Sequence, residues 1–254
     1  MRFEYKYIVH NKYLAPLREA VLPFLELDNF AFSETNNEYT VRSIYFDTPQ
    51  YDFYYEKVEG IKNRKKVRLR GYNTFEKGSQ VFLEIKRKYD IPIIKYRAPL
   101  LYENALKIFQ EKNLNGYAIN KFENLDGYQN SKRFFFQVFS KNLRPVVTVV
   151  YEREPYYSKF DRTVRITFDK NLRSIGYPAL ENLYSEQGLL SSLADHFILE
   201  VKFNNYFPSW LNPLISRFGL LKQSASKYVI SMDSSKVIRN LSKSTIYTRS
   251  KWYN

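Results

Sequence analysis

Eight stretches of this chain alternate polar and apolar residues with the two-residue period of a β-strand, and in most of them the polar side is cationic. RFEYKYIV sets Arg2, Glu4 and Lys6 against Phe3, Tyr5, Tyr7 and Val9. EYTVRSIYFD, KKVRLRGY, QVFLEIKRK, PIIKYRAPL, RPVVTVVYEREPY, RTVRITFD and HFILEVKF follow. Lys66, Arg68 and Arg70 share one side of the third stretch, and Glu84, Lys86 and Lys88 one side of the fourth. Lys95 and Arg97 pair in the fifth, and Arg153 ends the longer, more apolar sixth. Thr163, Arg165, Thr167 and Asp169 oppose Val164, Ile166 and Phe168 in the seventh, and Glu200 and Lys202 oppose Leu199, Val201 and Phe203 in the eighth. Like charges side by side on a strand face repel, so this bias has to be useful to persist. In a sandwich the polar faces meet water and the cations are simply solvated. In a closed barrel whose apolar faces pack outward on helices, the polar faces line a wet tunnel. Such a tunnel is a ring of cations with few carboxylates and selects a polyanionic ligand. The expected fold is α+β, mainly β: an eight-stranded antiparallel β-barrel with peripheral helices in the connections.

Helical spacing covers residues 11–27, with Asn11 as N-cap and Pro16 and Pro23 bending or shortening the helix. Further helices are expected over 49–60, 101–112, 129–141, 209–218 with Gly219 as its stop, and 224–232. No repeat or Gly/Ser linker interrupts the pattern. One domain over 1–240 with a polar, basic tail over 241–254 is the simplest organisation.

The net charge of +14, from 40 basic and 26 acidic residues, attracts polyanions. The absence of cysteine excludes disulfides, thiolate catalysis, Cys–zinc sites and iron–sulfur clusters. Histidines are confined to His10 and His196, which argues against a histidine zinc site. There is no G-x-x-x-x-G-K-[ST] or G-x-G-x-x-G, and glycine is scarce, so phosphate has to be gripped by side chains. A metal, if used, is a hard cation, Mn²⁺ or Mg²⁺, held by carboxylates and substrate oxygens. A nucleic-acid binder would also be basic and aromatic, but these cations are spread over every strand rather than clustered on one element. No stretch reaches the roughly 20 apolar residues that cross a bilayer, and the N-terminus has no long apolar run, which predicts a soluble cytoplasmic protein.

RFEYKYIV, SIYFDT, KVRLRGY, LEIKRK, IIKYRAPL, RPVVTVVYER, TVRITFD, LEVKF and SKYVISM occur in an order that resembles the VTC domain, the catalytic domain of polyphosphate polymerases among the triphosphate tunnel metalloenzymes. The likeness runs from about Arg2 to Met232. It implies an eight-stranded tunnel in which the terminal phosphoryl group of ATP is added to a growing polyphosphate chain with Mn²⁺ or Mg²⁺. By position, Lys6 resembles the first tunnel lysine, Arg68 and Arg70 the pair that grips the triphosphate, and Lys86 and Lys95 two further tunnel lysines. Arg153 and Arg165 resemble a second gripping pair, Glu200 the metal carboxylate with Glu4 as its companion, and Lys227 the lysine at the chain end of the tunnel. Lys202 and Ser226 join the substrate-binding set. Two departures stand out. Arg2 replaces the first carboxylate of the superfamily's E-x-E-x-K, as the polymerase branch tends to show, and Ser224 and Ala225 stand where the eukaryotic motif has a basic residue and an aromatic. Two other functions fit the same residues: a tripolyphosphatase or nucleoside triphosphatase using Glu4 or Glu84 to activate water, and a non-catalytic polyphosphate or nucleotide sensor. The implied partners are ATP and inorganic polyphosphate. With no membrane-crossing segment of its own, the chain leaves room for a membrane partner that carries product away.

Overall fold

Each of the eight alternating segments forms a strand in the computed structural model, which describes residues 2–32, 35–89, 93–114 and 125–238. The expected tail over 241–254 lies outside these residues. In chain order the strands are β1 (Arg2–His10), β2 (Leu25–Leu27), β3 (Tyr39–Asp47), β4 (Asn63–Tyr72), β5 (Gln80–Tyr89), β6 (Ile93–Leu101), β7 (Arg144–Ser158), β8 (Arg165–Gly176), β9 (Leu190–Ser191) and β10 (His196–Asn204). The helices are α1 (Leu14–Val21), α2 (Asn29–Phe32), α3 (Asp52–Val58), α4 (Tyr102–Glu111), α5 (Leu125–Ser140), α6 (Asn212–Arg217) and α7 (Lys227–Ser234). The mainly β class, with antiparallel pairing and helices in the connections, is the one expected. β2 and β9 are too short to show alternation.

The chain packs as two compact units: Met1–Thr40, Val150–Arg173 and Ser191–Lys227 form the first, and Val41–Val149, Ser174–Leu190 and Tyr228–Asn254 the second. In the first unit β1 pairs with β10 and β10 with β8, all antiparallel, and β2 pairs with the end of β7. The apolar sides of these strands bury Tyr7, Val9, Ile166, Phe168, Phe197, Leu199, Val201 and Phe203 under Leu17 and Val21 of α1. The single helix expected over 11–27 is broken into a 3-10 turn at Asn11–Tyr13, α1, and a second turn at Leu22–Phe24, after which the chain becomes strand. Pro16 sits in the first turn of α1, where its missing N–H is tolerated, whereas Pro23 cannot continue the helix and opens the second turn. Asn11 is not the cap: the His10 ring accepts from the Lys12 N–H at 3.1 Å.

In the second unit β3, β4, β5 and β6 pair antiparallel in that order. Ile44, Phe46, Val67, Leu69, Leu83, Ile85, Ala98 and Leu100 bury against Ala105 and Ile108 of α4 and Phe134 and Val138 of α5. The FDT of the third strand is structural. Buried Asp47 accepts the N–H groups of Thr48 (2.7 Å), Phe53 (3.0 Å) and Tyr54 (3.0 Å) and the Tyr228 hydroxyl, and so caps α3. Asp47→Ala strands these donors, and a loss of about 2 kcal/mol is expected, lowering the melting temperature by ~4–8 °C in a thermal melt.

Candidate phosphate-binding site

The register of β4, β5 and β6 sorts the cations of the second unit into rows. Arg68 lies opposite Glu84 and Glu84 opposite Arg97; the next row is Lys66, Lys86 and Lys95, with no carboxylate in it. Glu84 is buried, and Arg68 bonds it through Nε at 2.7 Å and Nη2 at 2.6 Å. Lys95 approaches its other oxygen at 2.8 Å, Arg97 at 3.4 Å, and Arg70 lies 3.9 Å away. Burial alone would raise this carboxyl, but Arg68, Arg70 and Lys95 hold it well below the usual carboxylate range. Tyr45 and Ser43, the β3 residues opposite Arg68 and Arg70, accept hydrogen bonds from them at 2.8 and 3.3 Å. Arg97 lies over the Phe82 ring, 3.6 Å from its centroid, and donates to the Tyr72 hydroxyl at 3.3 Å. Two anchored arginines and a row of lysines beside one glutamate give this face an excess of positive charge that suits an anion.

The first unit builds a second hub on Glu200. Its Oε1 meets Lys227 at 2.8 Å and Lys6 at 3.0 Å, and its Oε2 meets Arg153 at 3.3 Å and Lys202 at 3.6 Å. Arg153 also makes a two-pronged bond to Asp169, 2.6 Å on each prong, and Lys227 reaches the same carboxylate. Tyr151 lies under both cations. Burial opposes ionisation of Glu200, yet Lys227, Lys6, Lys202 and Arg153 hold it well below its ordinary range. Lys202 is pushed down to about 8, chiefly by burial, with Glu200 and Glu4 resisting the fall. This wall is close to charge balance: Glu4, Asp169 and Glu200 answer Lys6, Arg153, Lys202 and Lys227.

Among the described residues no group of three or more His, Asp and Glu side chains is arranged to hold a metal. A pair is available. Glu4 and Glu200 both lie 3.0 Å from the Lys6 ammonium, so the two carboxylates already enclose one cation. Thr167, directly opposite Glu200, keeps a buried hydroxyl with no hydrogen-bond partner. Two carboxylates and a hydroxyl, completed by phosphate oxygens, suit Mg²⁺ or Mn²⁺, which take few protein ligands when substrate supplies the rest.

The VTC domain matches residues 1–236, nearly the whole chain. The chain belongs to the VTC domain family. Subunit 4 of the vacuolar transporter chaperone complex of Schizosaccharomyces pombe is 26% identical over 250 residues, covering 83% of this chain and 34% of that protein. The Trypanosoma brucei brucei subunit 4 is 24% identical over 253 residues, covering 83% and 31%. The VTC domain described here therefore spans about a third of the length of these curated relatives. A solved structure of a putative adenylyl cyclase from Hippeastrum, described as having a dominant triphosphatase activity, aligns over 91% of this chain and 94% of its own at 12% identity, with a TM-score of 0.48.

Within the VTC domain, the expected site residues other than Arg165 and Ser226 fall into the two hubs. Arg68, Arg70, Lys86 and Lys95 share the polar face of β4–β6, and Lys6, Arg153, Lys202, Glu4, Glu200 and Lys227 gather in the first unit. Arg165 stands opposite Lys202 and is bound to Asp28 at 2.7 Å, and Ser226 is buried beside Lys227 in sequence. Asp169, Arg97, Lys66, Tyr45 and Tyr151 complete the hubs but were absent from the expected set. Asp169, Arg97 and Lys66 carry the right strand parity; what the sequence lacks is the register that brings them together.

Proposed function

We propose that this VTC domain transfers the terminal phosphoryl group of ATP to a growing inorganic polyphosphate chain, in the tunnel that the family resemblance implies. The observation that carries the proposal is the pair of rows Arg68–Glu84–Arg97 and Lys66–Lys86–Lys95. Phosphoryl transfer through a loose transition state asks for positioning and charge neutralisation rather than a covalent nucleophile. The attacking group is a phosphate oxygen already ionised at neutral pH, so no general base is required. Arg68 and Arg70, braced by Tyr45 and Ser43, would orient the triphosphate, and Lys86 and Lys95 would neutralise the charge on its equatorial oxygens. Glu200 and Glu4 would hold Mn²⁺ or Mg²⁺, which adds positive charge at the phosphates when bound.

A hydrolase of the same fold needs a carboxylate to take a proton from water. Glu84 is a poor acceptor because its cation partners hold it ionised far below its normal range. That weighs against Glu84 as the base of a hydrolase. A cytoplasmic setting, which supplies ATP, and a membrane partner for product export belong to the same proposal; among the described residues no helix is long and apolar enough to cross a membrane. Incubation with ATP and Mn²⁺, followed by gel analysis and a free-phosphate assay, tests it. Long polyphosphate is the expected product. Free phosphate alone would make the protein a hydrolase, and neither product would leave a sensor.

A further inference from the structure

The cationic rows do not stop at the residues that grip the triphosphate. Along β4 the same face presents Arg70, Arg68, Lys66 and Arg64, and the unbroken register sets each against a partner on β5 and β6. The successive rungs are Arg70–Phe82–Pro99, Arg68–Glu84–Arg97, Lys66–Lys86–Lys95 and Arg64–Lys88–Ile93. Two residues separate each rung from the next, so the four span about 20 Å, several times the reach of three linked phosphates. Their formal charges are +1 for Arg70, +1 for two arginines against Glu84, +3 for three lysines, and +2 for Arg64 with Lys88. The two outer rungs, toward the end of the β5–β6 hairpin, therefore carry +5 together against +2 on the two inner ones, and neither outer rung includes a carboxylate. Lys88 and Arg64 are partly exposed there, and Arg64 is steadied by the Ile61 carbonyl at 2.9 Å.

We propose that the Arg64–Lys88 rung is a binding subsite for polyphosphate beyond the triphosphate, and that the chain runs along this ladder toward the hairpin end. The inference rests on the polyphosphate reading above. A ligand of three phosphates held at Arg68 and Arg70 does not reach the outer rung, while a long chain does. The larger charge of the two outer rungs favours a chain that extends outward over one that stays on the inner rungs.

The test compares tripolyphosphate with long-chain inorganic polyphosphate by titration calorimetry at low salt. The variant is Arg64→Gln/Lys88→Gln, and Arg64→Lys/Lys88→Arg keeps the charges. Tripolyphosphate affinity of the Gln variant should stay within about twofold of the parent, while long-chain affinity falls about tenfold. The charge-keeping variant should match the parent on both, and circular dichroism should show both variants folded. Equal losses on the two ligands, or no loss on either, would overturn the subsite and leave the polyphosphate reading standing. A parent that binds neither ligand would overturn both.

Discussion

Replacing Glu200 by Gln is expected to lower metal-dependent chain synthesis by about 100-fold, a loss of ~2.7 kcal/mol of transition-state stabilisation. The substitution keeps shape and hydrogen bonding and removes one charge from among Lys6, Lys227, Arg153 and Lys202. Two roles for the carboxylate give different results. As a balance for neighbouring cations, its loss makes the wall more positive, leaves triphosphate binding intact or improves it, and leaves turnover within several-fold. As a metal ligand, its loss removes turnover while metal-free triphosphate binding survives, because the arginines and lysines remain. The pairing of Glu4 and Glu200 around one ammonium, with the orphaned Thr167 hydroxyl on the residue opposite Glu200, supports the second role. Turnover as a function of Mn²⁺, together with tripolyphosphate titration in chelator, separates the two. Near-normal metal-dependent turnover in the variant would remove Glu200 from the catalytic set.

Glu84→Gln is expected to act first on stability. The Glu84 side chain is 2% exposed and joins four cations on the two neighbouring strands. Removing the charged partner from such a hub costs about 3–5 kcal/mol when all members are buried. Lys95 and Arg97 reach water, so the lower end applies, about 3 kcal/mol, or ~6–12 °C in melting temperature. Tripolyphosphate should restore much of this loss, since an anion supplies the missing charge and binding stabilises the folded state. The pH dependence has a definite sign. The folded-state pKa of Glu84 lies below its unfolded value, so its contribution is present at neutral pH and fades as pH falls from the ordinary glutamate range toward the lowered value. The parent should lose stability in acid more steeply than Glu84→Gln. Parallel acid melts for the two proteins would show that Glu84 does not organise the hub.

The strands were legible because period-two alternation is a local signal, and the cationic bias of their polar faces was visible with it. The hubs were only half legible. Parity places Lys66, Lys86 and Lys95 on polar faces, but that they form one row depends on the pairing sums of β4, β5 and β6, which no single segment encodes. Glu84 was readable as a polar-face carboxylate, whereas its role as partner to four cations needs the same register. Asp169 has the right parity, but nothing local marks it as the partner of Arg153. The helix over 11–27 was over-extended because apolar spacing continues through Pro23 although the backbone cannot. His10 displaced Asn11 as cap because its ring, one residue earlier, already satisfies the Lys12 N–H.

Titration of tripolyphosphate into the parent and into Arg68→Gln/Arg70→Gln tests most directly whether the polar face of β4 grips phosphate. Arg68 is aimed by Tyr45 and Glu84, and Arg70 by Ser43, so each offers charge-assisted hydrogen bonds to the same ligand. The parent should bind with an affinity that weakens as salt rises, and the folded double variant should bind about 100-fold more weakly. Equal affinity in parent and variant, with both folded, would contradict the account.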